Sequence, residues 1–468
     1  MSEWRFSFPK WLSLHRTGCM VVLMVLALTV LALFSINMPA VAGKSFSFQG
    51  TLVYLPFLPQ GEERTPPPSE TPTSEPTETT PSPSTTPTTE PSTTPTTPPA
   101  PSLGEYIVIA WNDLGMHCYN RDFQDLAVLP PYNTLWAQVI QRGDPPLIVT
   151  SGVTVSYSFP DNTYSAGKSN FWEYDQALFG VDLPPNVGLA GKGLAGEMDP
   201  SGDHFIAEGI PLTEFSDSAP NTRNPYQMAK IVVKDTNSGE VLATNDVVAP
   251  VSTEMRCDRC HSDGAFGIAT GRVELNILTL HDEEAEEYPA GHTGRLVDRR
   301  PVLCAECHAS NALNAPGVPG VPNLSKAMHD KHAGKVPNST DGCYNCHPGP
   351  STKCLRDVMS SQFNMNCTSC HGGMEQIKEN PNPWLHEPRC DNCHTDPVYA
   401  QNEALYRFSS GHGGVYCEAC HDSTHAIAPS TQPEDAIKFV NLQGHGGPIE
   451  ACTVCHLTEP TSGGPHSK

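Results

Sequence analysis

The sequence predicts a two-domain protein. An all-β, sandwich-like domain comes first, followed by a Cys- and His-rich domain of short helices and loops with little regular secondary structure. Strand-length apolar runs recur before residue 252, whereas Cys and His dominate after Met255. Only 38% of the 468 residues are hydrophobic, and 46 are Pro and 37 are Gly. A conventional apolar core therefore cannot fill the whole chain.

The N-terminal segment has the features of an export signal. Arg5, Lys10 and Arg16 precede an uncharged apolar run at 20–34, and Ala40 and Ala42 provide the small residues that a signal peptidase reads. We expect residues 1–42 to be a signal peptide that is cleaved after Ala42. The alternative is an uncleaved anchor helix, for which the apolar run is slightly short.

Residues 43–102 are predicted to form an apolar segment followed by a stalk. The apolar segment is short, at 51–58. From Thr65 to Ser102 every residue except Ala100 is Pro, Thr, Ser or Glu. Such a composition has nothing to bury and favours an extended spacer, either O-glycosylated or unmodified.

Residues 103–252 are predicted to form the β domain, because runs rich in β-branched and aromatic residues alternate with turn signals. A hairpin is expected around the Asn237-Ser238-Gly239 turn. The predicted strands lie at 105–111, 135–141, 147–159, 229–234 and 240–244. The size of the region fits a sandwich of immunoglobulin-like dimensions.

The formal net charge of −23 argues against nucleic acid and anionic membrane surfaces as partners, since both select basic patches. Contact with a membrane is expected only through an uncleaved signal segment. The chain has 17 cysteines, which fits export to an oxidising compartment.

The region 253–468 contains a repeated chemical motif, Cys-x-x-Cys-His. Two thiols at this spacing can form thioethers to one haem, and the following His then lies beneath the iron. The seven copies predict seven covalently attached haem c groups. The cysteines are Cys257, Cys260, Cys304, Cys307, Cys343, Cys346, Cys367, Cys370, Cys390, Cys393, Cys417, Cys420, Cys452 and Cys455. The motif histidines are His261, His308, His347, His371, His394, His421 and His456.

A single Cys-x-x-Cys would leave open a zinc site or a redox dithiol. Seven copies, each followed directly by His, favour haem attachment. The segment from Cys257 to His456 resembles the bacterial multihaem c-type cytochromes, including those displayed outside the cell for electron exchange. The resemblance implies a heptahaem cytochrome c domain, although the stalk and the β domain depart from compact periplasmic members of that family.

Each haem iron needs a sixth ligand, and further histidines in the region are the candidates. They are His281, His292, His329, His332, His386, His412, His425 and His445. His329 and His332 are three residues apart and on a helix could serve two neighbouring haems. We expect either His292 or His386 to be a surface residue instead. Met is the competing ligand, and the Met residues near the motifs are Met255, Met328, Met359, Met365 and Met374.

Two cysteines remain after the motifs and the signal segment are set aside, Cys118 and Cys354. They could form a disulfide between the two domains or remain buried thiols, and Cys354 could be reactive. Met116, His117 and Cys118 adjoin one another and could bind a metal or lend a ligand to a haem in a neighbouring subunit. Ordinary structural roles are the competing interpretation.

Three functions are compatible with these residues. Mostly bis-His haems suit electron transfer at the cell surface or outside the cell, or in the periplasm, between redox partner proteins or extracellular donors and acceptors. One haem left open would instead suit a reductase or oxidase of a small nitrogen or sulfur compound. The third alternative is a subunit of a self-associating cytochrome filament. The near-match between candidate ligands and motifs favours an electron carrier over an enzyme.

Overall fold

The structure is a computed structural model. It describes the backbone of residues 46–48 and 51–53, and residues 101–468 except 286, 287, 290, 382–387, 404, 465, 467 and 468. The predicted signal peptide, almost all of the stalk and His386 lie outside the described residues. Within the described part, each helix is too short or too polar to cross a bilayer.

The prediction of a strand-rich region followed by a more helical and loop-rich region is confirmed. The strands are β1 (Phe46–Phe48), β2 (Thr51–Val53), β3 (Tyr106–Asn112), β4 (His117–Cys118), β5 (Leu126–Ala127), β6 (Asn133–Gln141), β7 (Leu147–Val149), β8 (Val153–Ser158), β9 (Ala195–Glu197), β10 (Asp199–Ser201), β11 (His204–Ile210), β12 (Tyr226–Asp235), β13 (Val241–Ser252) and β14 (Val302–Leu303).

The helices, apart from the first, follow the strand-rich region and are short. They are α1 (Phe171–Phe179), α2 (Asp258–His261), α3 (Val273–Glu284), α4 (Leu324–His332), α5 (Thr340–Cys343), α6 (Val358–Phe363), α7 (Cys367–His371), α8 (Met374–Glu379), α9 (Cys417–His421) and α10 (Pro433–Gln443). Turns of 3₁₀ helix connect them, for example at Cys304–Glu306 and Cys452–Val454. Frequent Pro and Gly limit the length of regular structure here.

Two five-stranded sheets form the strand-rich region. One has the order β10-β11-β6-β3, with β7 also paired to β6, and the other has the order β4-β13-β12-β8-β9. Their facing sides share one apolar core, which includes Val108, Val139, Ile231 and Val247. Alternate residues of each strand reach this core because strand side chains alternate between faces.

The predicted hairpin is confirmed. β12 and β13 pair antiparallel with Val233 opposite Ala243. In the turn between them, Gly239 has a φ of +73°, which glycine adopts without steric cost. The predicted strand at 147–159 is wrong in one respect, since it is divided into β7 and β8 around Gly152.

The strand β3 is buried on both faces, which explains its nearly continuous apolar sequence. Val108 and Ala110 enter the core between the sheets. Ile109 and Trp111 point the other way and pack with Leu442 of α10 and other residues of the C-terminal region. Burying one such side chain contributes about 1.5–3 kcal/mol. The strand-rich region is therefore packed directly against the Cys- and His-rich region.

Polar contacts join the same two regions. The buried Asp125 carboxylate lies 2.9 Å from the guanidinium of both Arg272 and Arg300. Beside it, β5 pairs in parallel with β14, with Leu126 opposite Val302. These contacts hold the loop that leads into the second Cys-x-x-Cys-His motif against the strand-rich region.

Candidate functional site

Each Cys-x-x-Cys-His motif folds into a single helical or 3₁₀ turn. The backbone N–H of His261 donates to the carbonyl of Cys257 at 2.9 Å, and that of His308 donates to Cys304 at 3.0 Å. The same bond occurs in the third, fifth and seventh motifs, and the fourth and sixth form the short helices α7 and α9. Because residues four apart share a helix face, the first Cys and the His of each motif project to the same side.

Within the described part of the chain, six motif histidines each face a second histidine. In these pairs the ring centroids lie 5.6–6.4 Å apart, as follows: His261 with His332, His308 with His281, His347 with His329, His371 with His425, His421 with His466, and His456 with His412.

This spacing fits two imidazoles on opposite sides of one iron atom. Imidazole nitrogen binds transition metals at about 2 Å, and the ring centre lies about 1.1 Å behind that nitrogen, so two opposed rings have centroids about 6.2 Å apart. Rotation about the nitrogen–metal–nitrogen axis does not change this distance. Interplanar angles from 19° for His329 and His347 to 76° for His261 and His332 are therefore compatible with it.

Several of these histidines have Nδ1 engaged with a backbone carbonyl. Nδ1 of His308 lies 2.9 Å from the Pro322 oxygen, and Nδ1 of His329 and of His332 lies 2.8 and 2.7 Å from the carbonyl four residues earlier on α4. A carbonyl only accepts, so Nδ1 carries the proton and donates it. Nε2 is then the nitrogen that can bind a metal, as in many metal-ligating histidines.

Burial keeps some of the paired histidines neutral. It lowers the pKa of His261 and of His281, in each case with a further decrease from the facing histidine. Burial, followed by the proximity of His466 and Lys438, lowers the pKa of His421 to about 4. A neutral imidazole has the lone pair that ligation requires.

Burial raises the pKa of several motif cysteines. Burial raises the pKa of Cys257 to about 11 and that of Cys304 and Cys417 to about 12. Redox dithiols need the opposite, a lowered pKa and a reactive thiolate. Among the described residues, no group of three or more His, Cys, Asp or Glu is placed to hold a metal. A haem iron needs only two protein ligands, because the porphyrin supplies the other four.

One helix provides ligand candidates to two motifs. His329 and His332 lie on α4, where His329 faces His347 of the third motif and His332 faces His261 of the first. The asparagine cap fixes the start of this helix, since the Asn323 side chain accepts a hydrogen bond from the backbone N–H of Lys326. Two adjacent sites are therefore positioned by the same rigid element.

Two other predicted ligands face motifs that are distant in sequence. His425 lies opposite His371 of the fourth motif, with ring centroids 6.3 Å apart, and adopts a positive φ of 66°. His412 lies opposite His456 of the seventh motif at 6.1 Å. His412 belongs to one of the two Gly-His-Gly-Gly segments.

Sequence reasoning missed His466, which faces His421 of the sixth motif at 5.6 Å. It lies ten residues beyond His456, outside the span of the motifs. A search for ligands that continued to the last histidine of the chain would have found it.

Two predicted ligands face no motif histidine among the described residues. His445 is exposed and lies 3.7 Å from the Glu450 carboxylate. His292 is half-buried and its Nδ1 has no hydrogen-bond partner within the described part. For His394 of the fifth motif, the nearby ring in the described part of the chain is that of Tyr399, at 5.9 Å.

The residues around the two remaining cysteines pack structurally. Cys118 and Cys354 are not joined by a disulfide in the structure. Burial raises the pKa of Cys118, and the nearby Cys354 raises it further. His117 is buried and its Nε2 lies 2.9 Å from the Asp113 carboxylate. This arrangement argues against His117 as a ligand in a neighbouring copy of the chain.

A cavity of about 300 Å³ lies between the strand-rich region and the motif region. The third motif borders it through Cys343, Cys346 and His347, and His329 faces into the same space. Met116 and Leu313 belong to the apolar part of the lining. The cavity therefore joins thiols, a histidine pair and apolar walls, which is the donor set and surface that a covalently attached haem requires.

Comparison with protein-family models, with curated proteins and with solved structures found no match.

Proposed function

We propose that this protein is an exported multihaem c-type cytochrome whose seven haems carry electrons. The observation that carries the proposal is the set of six histidine pairs, each joining one motif His to a second His at 5.6–6.4 Å. In each site the two thiols of the motif would anchor the haem. The bound haem supplies a one-electron iron centre, and two imidazoles leave that iron no open position for a substrate.

The proximity of the motifs supports a relay. The side chain of Asn276 on α3, the helix that also faces the second motif, donates to the carbonyl of His261 in the first motif at 2.9 Å. The Tyr399 ring lies 5.9 Å from that of His394 in the fifth motif and 5.1 Å from that of His466, which faces the sixth motif. Helix α4 joins the first and third motifs. The sites therefore form groups of neighbours rather than isolated centres.

The first prediction concerns haem number and spin state. We expect the protein, produced with a c-type haem maturation system, to hold seven haems per chain, six or seven of them low-spin. The pyridine haemochrome assay gives the number, and low-temperature EPR gives the spin states. Fewer than six haems, or a large high-spin fraction, would contradict the proposal.

The second candidate function is reduction or oxidation of a small nitrogen or sulfur compound. It is favoured by the fifth motif, where Tyr399 rather than a histidine adjoins His394 within the described residues. Adding CO, nitrite or hydroxylamine to the protein tests it, because only an open haem changes its absorption spectrum. If a spectral change involves one haem and persists in a His386→Ala variant, this function replaces the first.

The second prediction concerns the two histidines of α4. Replacing either His329 or His332 by Ala is expected to convert one haem from low-spin to high-spin, and the double variant is expected to convert two, because they face different motif histidines. CO binding per chain measures the number of open haems. His292→Ala is the matched control and should open none. A double variant that opens only one haem would show that the two histidines serve one site.

Features of the sequence support a proposal for the location and the partners of the protein. The signal segment, the Pro- and Thr-rich stalk and the charge of −23 favour a place at the cell surface or outside the cell, with the periplasm as the alternative. The partners would be redox proteins or extracellular donors and acceptors, and not nucleic acid. Self-association into a filament is the remaining alternative, in which a ligand other than His117 would be shared.

A further inference from the structure

The strand-rich region reaches the last motif through one loop. The Arg142 guanidinium, at the end of β6, donates from Nε to the carbonyl of Val454 at 3.1 Å and from Nη2 to that of Thr453 at 2.8 Å. The backbone N–H of Gly143 donates to the carbonyl of Cys455 at 3.2 Å. The interior of the seventh motif is therefore held by residues about 310 positions earlier in the chain.

The next residue of this loop contacts the motif histidine itself. Oδ1 of Asp144 lies 3.2 Å from Nδ1 of His456. Oδ2 of the same carboxylate accepts hydrogen bonds from the backbone N–H and the hydroxyl of Thr458, at 3.1 and 2.7 Å. A carboxylate only accepts, so Nδ1 of His456 donates and Nε2 is left to face His412 and a metal between them. Thr458 fixes the orientation of the carboxylate.

This acceptor differs in charge from those of three other histidines in the proposed sites. Nδ1 of His308, His329 and His332 bonds to neutral backbone carbonyls. A carboxylate acceptor makes an imidazole a stronger electron donor to its metal and adds a negative charge nearby. Both effects stabilise ferric iron relative to ferrous iron and lower the reduction potential. His456 and Asp144 are 18% and 37% exposed, so water screens only part of this charge.

We propose that Asp144 acts through His456 as a positioning residue that lowers the reduction potential of the haem at the seventh motif. The inference rests on the proposed function, since it requires a haem at Cys452 and Cys455. The strand-rich region would then have a direct role in electron transfer, because one of its loops would lower the reduction potential of the haem at the seventh motif.

The test is a redox titration of the full-length haem-loaded protein, followed by absorption and EPR. In Asp144→Asn we expect one of the seven haems to shift to higher potential and its EPR signal to change, with the other six unchanged. Asp144→Glu retains the charge and should restore most of the wild-type potential. Asp161→Asn is the matched control, because Asp161 accepts from the N–H and hydroxyl of Ser218 but contacts no histidine within the described part of the chain.

The outcomes separate the two proposals. If the wild-type protein has no low-spin haem at the seventh motif, the proposed function of that motif is wrong, and so is the inference. A titration of Asp144→Asn identical to wild type, with seven low-spin haems present in both, would overturn the inference alone. Loss of the seventh haem in Asp144→Asn but not in Asp144→Glu would also overturn it, because Asp144 would then act in haem loading.

Discussion

Replacing His466 by Ala is expected to leave one of the seven proposed haem irons with a free coordination position. The His466 ring faces His421 at 5.6 Å, and His421 is held neutral by burial, with a pKa of about 4. Without His466 the iron of the sixth motif would lose one axial ligand and change from low-spin to high-spin. The measurements are the EPR spin state and the number of CO molecules bound per chain, which should rise by one.

His445→Ala is the matched control for this experiment. Both histidines are exposed and lie in the C-terminal part of the chain, but within the described residues His445 lies 3.7 Å from the Glu450 carboxylate and faces no motif histidine. It should leave all spin states and CO binding unchanged. An open haem in His445→Ala together with an unchanged spectrum in His466→Ala would reverse the assignment and make His445, which the sequence predicts as a candidate sixth ligand, the ligand in place of His466.

The fold was predictable where local patterns decide it. The hairpin of β12 and β13 has a turn of Asn, Ser and Gly between β-branched runs, and the structure contains it. The strand β11 (His204–Ile210) and helix α1 (Phe171–Phe179) were not predicted, since their patterns are short and their burial depends on distant segments. The contact of β3 with α10 was not predictable from local patterns either, because more than 300 residues separate the two elements.

The two histidines of each site were predictable to different degrees. The motif His of each site is fixed by its own cysteines, so spacing alone identifies it. Its partner comes from elsewhere in the chain, and composition gives only a set of candidates. The three-residue spacing of His329 and His332 on a helix predicts that they could serve two neighbouring sites, and in the structure their rings lie opposite histidines of two different motifs. His466 and Asp144 depend on tertiary packing across large sequence separations, which no local pattern reports.

Replacing Arg356 by Ala is expected to lower the free energy of unfolding by about 3–5 kcal/mol, because it leaves a buried carboxylate unpaired. Arg356 and Asp435 are 1% and 2% exposed, and the guanidinium donates from Nε and Nη2 to both carboxylate oxygens, at 2.7 and 3.0 Å. The Arg356 backbone N–H also donates to the carbonyl of His425 at 2.9 Å. The variant should therefore loosen the pair of His425 and His371 as well. Urea denaturation followed by circular dichroism measures the stability, and EPR would report a change at the haem that we propose for this pair.

Two further variants distinguish this buried pair from ordinary ion pairs. Lys378→Ala removes a surface pair with Glu375, which are 39% and 67% exposed, and solvent screening should leave stability nearly unchanged. The double variant Arg356→Met with Asp435→Leu removes both charges and should recover much of the lost stability, since the penalty arises from one unpaired charge rather than from losing the attraction. If Arg356→Ala were no more destabilising than Lys378→Ala, the ion pair would not hold α10 and the His425 segment together. His425, the proposed sixth ligand of the iron at the fourth motif, would then have to be positioned by other contacts. The hydrogen bonds of Asp422 and Ser423, which precede it in the chain, are candidates.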